Sequence, residues 1–345
     1  MVLKKLWLHS VRSYLRLGMF FYFKRIHVHN VENIPKNKPV LLLANHQNAL
    51  LDALLIATKS DRFLFFLTRA AVFKKMYVSK ILNSLQMLPV YRVRDGWSTI
   101  SNNNAIFENC SEILNKNEAI VIFPEGSHNL ARRVRPLSKG FTRIVFDTLK
   151  KYPDLDLQLI PIGLNFVNAI ACPDSTAIYF GEPFAAKDFI RDNKKEETLE
   201  LKQTVQNKIM NLTAHISEEN YEADLQKLNN LNVDFLKPNE VNLCLKSNFE
   251  NCKAKTKNKA KYLSSFFQIL LKINLIVPYV IWKFVARPKI KEIEFISTFR
   301  FVIAITLVPI YLLIVTVVLL IMHSVLAGLL YLMLSLIIAL FAIKL

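Results

Sequence analysis

A histidine and an aspartate at the end of a short apolar run are the first candidates for catalysis. Residues 40–44 read Val-Leu-Leu-Leu-Ala and end abruptly in Asn45 and His46, and Asp52 follows. A buried strand that delivers polar side chains at its carboxyl end is typical of sites in α/β sheets. Imidazole titrates nearest neutral pH, so a His46 oriented by a carboxylate can take a proton from a hydroxyl and later release it. Taken alone, such a pair is more often a surface hydrogen bond or a helix cap.

A second apolar run ends in a second polar motif. Residues 119–123 are apolar, and they are followed at once by Pro124, Glu125, Gly126, Ser127 and His128. A basic cluster comes directly afterwards, made of Arg132, Arg133, Arg135 and Lys139. Because two strands deliver polar residues at their carboxyl ends, we expect the two motifs to converge on one site. The chemistry that a histidine base of this kind serves is acyl transfer or hydrolysis.

Four motifs occur in a specific order along the chain. They are Asn45-His46 with Asp52, the segment Leu88-Pro89-Val90-Tyr91-Arg92, the run Phe123 to Ser127, and Leu159-Ile160-Pro161-Ile162-Gly163. This combination resembles the glycerophospholipid acyltransferase family over about residues 1–215. The resemblance implies a fatty acyl transfer from acyl-CoA or acyl-carrier protein, as co-substrate, to a hydroxyl of glycerol 3-phosphate or of 1-acylglycerol 3-phosphate (lysophosphatidate).

The same resemblance assigns roles to individual residues. His46 is expected to be the general base, and Asp52 to hold its tautomer and stabilise the imidazolium. The residues expected to position the acceptor are Asn45, Glu125, Gly126 and Ser127. Those expected to bind its phosphate are Arg69, Arg92, Arg133 and Lys139, since arginine forms bidentate contacts with phosphate. The resemblance implies neither a metal nor a further cofactor.

Two features depart from the family pattern. Five residues, not the more common four, separate His46 from Asp52, which is similar to the branch of fungal glycerol-3-phosphate and dihydroxyacetone-phosphate acyltransferases. The arginine that follows Glu-Gly-Thr in the family is replaced here by His128. We therefore expect Arg132 or Arg133 to supply the missing charge.

Charge and hydropathy restrict the classes of partner. The net charge of +18 comes from the two ends of the chain, because residues 151–250 are acidic. Such ends suit nucleic acid or an anionic membrane surface. The apolar carboxyl-terminal block favours a membrane phospholipid surface, and without a zinc-finger spacing or an aromatic RNA motif we expect no nucleic acid. One alternative is an acyltransferase for another lipid acceptor. The other is a membrane-tethered, catalytically silent lipid-binding protein, although it would not need His46, Asp52 and the Phe-Pro-Glu-Gly run together.

The elements that must position these residues predict an α/β domain. Short strands alternate with helices up to residue 180, which indicates a largely parallel sheet flanked by helices, with the domain at residues 26–215. Residues 1–25 are interpreted as an interfacial amphipathic helix with a basic face and an apolar face. A soluble helix packed on its own domain is the alternative for this segment.

The second half of the chain is interpreted as a connector and a membrane anchor. Residues 198–230 are predicted to form one charged helix, and residues 216–263 to be a helical and polar connector with a basic arm near anionic lipid. The four cysteines lack metal-ligand spacing and are predicted to be free thiols in a reducing cytoplasm.

Residues 264–345 should form the anchor. Residues 301–343 contain one ionisable side chain, His323, and fit a transmembrane hairpin that turns near it. Residues 266–285 contain Lys272 and Pro278 and fit an interfacial or re-entrant segment better than a third span. The flanking Lys and Arg residues predict an integral membrane protein whose catalytic domain faces the cytoplasm.

Overall fold

The computed structural model describes residues 2–91, 103–255 and 261–345, and within them it contains an eight-stranded sheet. The order along the sheet is β1-β7-β6-β2-β5-β3-β4, and β8 pairs with β6. The strands are β1 (Phe23–His29), β2 (Val40–Ala44), β3 (Leu64–Arg69), β4 (Met87–Val90), β5 (Ala119–Ile122), β6 (Gln158–Phe166), β7 (Asp174–Phe180) and β8 (Phe184–Ala185).

Most neighbouring strands run in the same direction. The β2 strand is parallel to both of its neighbours, β5 and β6, and β3 is parallel to β5 and β4. The antiparallel pairs are those of β6 with β7 and with β8. The carboxyl ends of β2, β5, β3 and β4 therefore lie at one edge of the sheet. This confirms the predicted largely parallel sheet.

Helices cover both faces of the sheet. Those of the described residues are α1 (Val2–Phe20), α2 (Ala49–Lys59), α3 (Met76–Ser84), α4 (Asn103–Asn115), α5 (Gly140–Lys151), α6 (Lys194–Asn211), α7 (Tyr221–Asn230), α8 (Pro238–Lys246), α9 (Lys261–Asn274), α10 (Ile276–Val280), α11 (Ile296–Met322) and α12 (Val325–Lys344).

Successive side chains of the central strand enter different cores, as the period of two in a strand requires. Leu41 and Leu43 pack with residues of α4, α5 and α6. Val40, Leu42 and Ala44 pack with α2 and with buried residues of α1 and α11. All five residues of β2 are buried, which accounts for its uninterrupted apolar sequence.

The amino-terminal helix docks through its basic side chains. The guanidinium groups of Arg12 and Arg16 donate hydrogen bonds to the backbone carbonyls of Arg62 and Thr58. The opposite face leaves Leu3 and Leu6 exposed by 81% and 62%. The helix therefore docks on the domain through Arg12 and Arg16 and exposes an apolar face, which suits the predicted interfacial helix.

Two helices at the carboxyl terminus are long and apolar enough to cross a membrane, namely residues 293–322 and α12. They are joined at His323 and Ser324, as the sequence predicts, and the Ser324 hydroxyl accepts a hydrogen bond from the Ala327 N–H. The preceding helical pair, Tyr262–Asn274 and Ile276–Lys289, is bent by 94°. Such a bend is compatible with the predicted interfacial or re-entrant segment.

The charged helix predicted at residues 198–230 is two helices, α6 and α7. The chain leaves the helix after Asn211 because tertiary partners take its backbone donors: the Ala214 N–H donates to the Asn165 side chain, and the Ile216 N–H to the Arg132 carbonyl. Competing hydrogen bonds of this kind are invisible to helical periodicity.

Part of the segment interpreted as a connector has its own small core. Ile216, Leu228 and Val241 are buried in it, and α8 contributes Cys244. A tight turn after α8 returns the chain and brings Cys252 to Cys244, with which it forms a disulfide. The prediction of four free thiols is therefore wrong for this pair, whereas Cys110 and Cys172 are free.

A close approach at Gly163 provides a test of this packing. A Cβ atom on Gly163 in β6 would lie 2.0 Å from the Leu212 carbonyl oxygen at the end of α6. Gly163→Ala should therefore destabilise the domain by about 1–3 kcal/mol, the usual cost of overpacking. Gly140→Ala is the control, because its nearest neighbour would be 3.9 Å away. Thermal unfolding in detergent measures both variants, and equal melting temperatures would contradict the packing of α6 on β6.

Candidate active site

The carboxyl end of β2 brings His46 and Asp52 together. His46 Nδ1 lies 2.8 Å from Asp52 Oδ2. The Asp52 side chain is fully buried and that of His46 is 13% exposed. A carboxylate on Nδ1 places the ring proton there and leaves the lone pair on Nε2. The imidazole is therefore held in the tautomer that can accept a proton at Nε2.

The turn between the two residues directs the carboxylate. Asp52 Oδ2 also accepts a hydrogen bond of 2.7 Å from the Asn48 backbone N–H. Ala49, at the start of α2, has a φ of 40°, which is the left-handed region that side-chain-bearing residues rarely adopt. Among the described residues, the other carboxylate oxygen of Asp52 is buried without a hydrogen-bond partner. The local geometry thus favours the His46 contact over complete hydrogen bonding of the carboxylate.

Two rings fix the plane of the His46 imidazole. Phe123, the residue directly after β5, stacks on it with ring centroids 4.1 Å apart and an interplanar angle of 19°. His128 meets it edge-on, with centroids 5.6 Å apart and an angle of 88°. The residues after β5 therefore form a wall beside the ring of His46.

A buried carboxylate links the two motifs. Glu125 Oε1 accepts a hydrogen bond of 3.2 Å from the His46 backbone N–H. Its other oxygen lies 2.7 Å from Arg135 Nε, and the Glu125 side chain is only 2% exposed. Burial raises the pKa of Glu125, and the positive charge of Arg135 opposes this effect. Arg135 also donates to Ser127 Oγ at 2.8 Å and to the Ser127 carbonyl.

Of the three arginines that follow the motif, Arg135 contacts Glu125 and Ser127, whereas the role expected for Arg132 or Arg133 stays a prediction. Arg132 is directed elsewhere, because its guanidinium donates to the carbonyls of Phe166 and Val167 and lies 3.7 Å from the ring of Phe235. Burial lowers the pKa of Arg132 to about 10. Arg133 pairs with the exposed Glu218 at 2.7 Å. Sequence reasoning had no signal that separates these three arginines, since each follows the same motif.

The other predicted binding residues lie around the same edge of the sheet. Arg69 is the last residue of β3 and pairs with Val90 of β4, while Lys139 is exposed directly before α5. Arg92 lies outside the described residues. A phosphate-binding role for these side chains stays a prediction.

Asn45 and Gly126 have clear structural positions. The side-chain amide of Asn45 donates to the Leu164 carbonyl and accepts from the Leu164 N–H, so it joins the ends of β2 and β6. Gly126 has a φ of +73°, and its N–H donates to the Phe123 carbonyl in a tight turn. Glycine adopts this conformation without strain, which explains its place in the motif.

The part of the chain that carries this site is similar to known proteins. A protein-family model described as Acyltransferase matches residues 25–165. Glycerol-3-phosphate O-acyltransferase 1 of Saccharomyces cerevisiae is 23% identical over 121 residues, which are 33% of this chain and 16% of that protein. An uncharacterised acyltransferase of Schizosaccharomyces pombe is 31% identical over 70 residues, 20% of this chain and 10% of that protein. The chain thus spans less than a fifth of either relative's length.

A solved structure is also similar. It is the crystal structure of the 1-acyl-sn-glycerophosphate (LPA) acyltransferase PlsC from Thermotoga maritima, with a TM-score of 0.46 and 19% identity. The alignment covers 62% of this chain and 83% of that one.

Removal of Arg135 tests the link between the two motifs. Arg135→Ala leaves the buried Glu125 carboxylate without its cation, which should destabilise the domain by up to about 3–5 kcal/mol. Adding Glu125→Gln should restore part of this loss, because a neutral amide needs no countercharge. Arg133→Ala is the control: its partner is 79% exposed, and an exposed pair contributes about 0–1 kcal/mol. Melting temperatures in detergent report all three, and a greater loss in Arg133→Ala would refute the assignment.

Proposed function

We propose that this chain transfers a fatty acyl group from an acyl thioester to a glycerol-phosphate acceptor, which its match to the Acyltransferase family model over residues 25–165 supports. The donor is acyl-CoA or acyl-carrier protein, and the acceptor is 1-acylglycerol 3-phosphate or glycerol 3-phosphate. The observation that carries this proposal is the 2.8 Å contact between His46 and the buried Asp52, which lies inside the stretch matched by the family model.

The chemistry follows from the tautomer of His46. Its Nε2 accepts the proton of the acceptor hydroxyl while the hydroxyl oxygen attacks the carbonyl carbon of the thioester. The carbon–sulfur bond breaks as the ester forms, and the departing thiolate takes the proton back from the imidazolium. Asp52 stabilises the positive charge that His46 carries between these steps. The protein needs no acyl-enzyme intermediate for this sequence.

The residues after β5 support the binding of the acceptor. Ser127 is held by Arg135 beside His46, and Glu125 holds the backbone of His46 itself. Arg69 and Lys139 lie at the ends of elements that reach the same edge of the sheet, where a phosphate would meet positive charge. We assign the acceptor phosphate to this edge, and we propose that Arg92 also binds it.

The position at the membrane is part of the proposal. The apolar outer face of α1 and the exposed apolar surfaces of α11 and α12 suit contact with lipid. Lys and Arg residues flank the hairpin at 287–300 and at Lys344, and positive flanks favour the cytoplasmic side. We therefore place the catalytic domain on the cytoplasmic surface of the membrane, where it meets a lipid acceptor.

Substitution of the base tests the reaction. His46→Ala should lower kcat by about 10²–10⁴, the usual loss for a general base, while the protein still inserts in membranes. His27→Ala, which removes an exposed histidine of β1, serves as the matched control. The assay is thioester consumption by purified full-length protein with acyl-CoA or acyl-carrier protein and a panel of acceptors. Turnover near wild type in His46→Ala would end the assignment, and an inactive wild type against the whole panel would reject the proposed function.

Arg92→Ala tests recognition of the acceptor separately from chemistry. Loss of a charge-assisted hydrogen bond should weaken acceptor binding by about 1.5–3 kcal/mol and raise the acceptor KM. The donor KM should stay unchanged, and Arg92→Lys should recover only part of the loss because lysine lacks the bidentate fork. Steady-state kinetics with each substrate varied in turn measure these effects. A rise in the donor KM alone would instead place Arg92 beside the thioester.

A further inference from the structure

The two glutamates that precede the membrane hairpin occupy an unusual position in the sequence. Glu292 and Glu294 are the only acidic residues of the segment 251–345, which is otherwise rich in Lys and Arg. Lys289 and Lys291 lie directly before them. A negative charge in a basic, membrane-proximal stretch opposes attraction to anionic lipid. The glutamates therefore call for an explanation other than lipid contact.

Both glutamates lie beside His128, whose ring meets that of His46. His128 Nε2 donates to Glu292 Oε2 at 3.0 Å, and the ring of Phe295 meets the His128 ring edge-on with centroids 4.7 Å apart. A carboxylate oxygen of Glu294 lies within 4.8 Å of a ring nitrogen of His128 and of a carboxylate oxygen of Glu292. The membrane-proximal segment is thus fastened to the residue whose ring touches the catalytic base.

The same segment is fastened on the other side of the site. Ser297 Oγ donates to the Ala169 carbonyl at 2.6 Å, and Arg300 Nη2 donates to the Ile170 carbonyl at 2.8 Å. The Ala169 carbonyl also accepts from Asn48 Nδ2 at 2.8 Å, in the turn between His46 and Asp52. Residues 292–300, which we name the strap, therefore contact His128 directly, and they are linked to the turn between His46 and Asp52 through a shared acceptor, the Ala169 carbonyl.

Stability alone does not account for the Glu292 contact. The Glu292 side chain is 63% exposed, and the His128 side chain is 13% exposed. A pair with one partner in water contributes about 0–1 kcal/mol at most. Meanwhile the edge of His128 lies against the imidazole of His46. Loss of the Glu292–His128 contact should therefore change the orientation of the His46 ring more than it changes the stability of the domain.

We propose that Glu292 and His128 are positioning residues for His46, and that the strap transmits the seating of the membrane anchor to the catalytic base. This inference rests on the proposed function and extends it to Glu292, which lies outside the stretch matched by the family model. Glu292 holds the His128 ring, and the His128 ring, perpendicular to that of His46, limits the orientation of His46 together with the stacked ring of Phe123. Displacement of the strap would release His128 and let the imidazole leave the plane in which Nε2 meets the acceptor hydroxyl.

Kinetics of the full-length chain in lipid vesicles test the proposal. Glu292→Ala should lower kcat by up to about fivefold, which is the most that the loss of a contact with one partner in water can produce. The KM values of donor and acceptor should not change, since Glu292 touches neither substrate. Glu292→Gln should recover part of kcat, because its amide oxygen still accepts from His128. Glu219→Gln, at an exposed glutamate far from the strap in sequence, is the control and should match wild type.

A second readout does not depend on activity. Burial lowers the pKa of His128, and the hydrogen bond to Glu292 opposes this effect; His46 and Glu294 are the other ionisable groups that act on it. Loss of the Glu292 carboxylate should lower the His128 pKa further in both Glu292 variants. Histidine ring signals in NMR, assigned with His128→Asn, follow this titration in micelles.

The outcomes separate the two proposals. Wild-type kcat in Glu292→Ala, with an active wild type, overturns the positioning role. A His128 titration that does not change in the Glu292 variants overturns the contact itself, whatever the activity. An inactive wild type rejects the proposed function, and the titration still decides whether Glu292 holds His128.

Discussion

The buried carboxylate of Glu125 is the interaction on which the site depends. Its two oxygens hold the His46 backbone and the Arg135 guanidinium, so one side chain joins the carboxyl ends of β2 and β5. A carboxylate that is 2% exposed destabilises the folded state unless it is paired with a cation and hydrogen-bonded, and both conditions are met here. The parallel strands bring their carboxyl ends together. Glu125 then holds His46 at a fixed distance from the motif after β5.

The apolar hairpin of α11 and α12 is continuous with this framework. Phe301 of α11 is buried in the same core as Leu42 of the central strand. Arg300 donates to the Tyr22 hydroxyl at 3.0 Å, and Lys344 reaches the Phe23 carbonyl at 2.8 Å. The anchor thus packs directly on the domain at both of its ends. Because packed cores move between discrete arrangements and do not deform continuously, a shift of the hairpin would be felt at the sheet.

The sequence predicted the strands and helices that depend on the pattern of neighbouring residues. The apolar runs before His46 and Phe123 predicted two buried strands, and the apolar tail predicted the hairpin that turns at His323. The break after Asn211 and the Cys244–Cys252 disulfide were missed, since both depend on partners that the fold supplies. Among adjacent arginines, only tertiary geometry shows that Arg135 is the one that meets Glu125.

The five-residue spacing between His46 and Asp52 shows how the dyad tolerates a longer turn. The turn closes with Ala49 in the left-handed region, which costs roughly 1–2 kcal/mol for a residue with a side chain. It also leaves one buried oxygen of Asp52 without a partner among the described residues. Neither feature stabilises the fold, although neither is unique to this turn: Gln86 also has a positive φ, and a carboxylate oxygen of Asp174 is also buried without a hydrogen-bond partner in the described part of the chain. Strain and unmet hydrogen bonding persist where the surrounding structure over-determines them, which is typical of sites where geometry serves chemistry. The turn and the contact therefore point the same way, because this conformation places the Asp52 carboxylate on Nδ1 of His46.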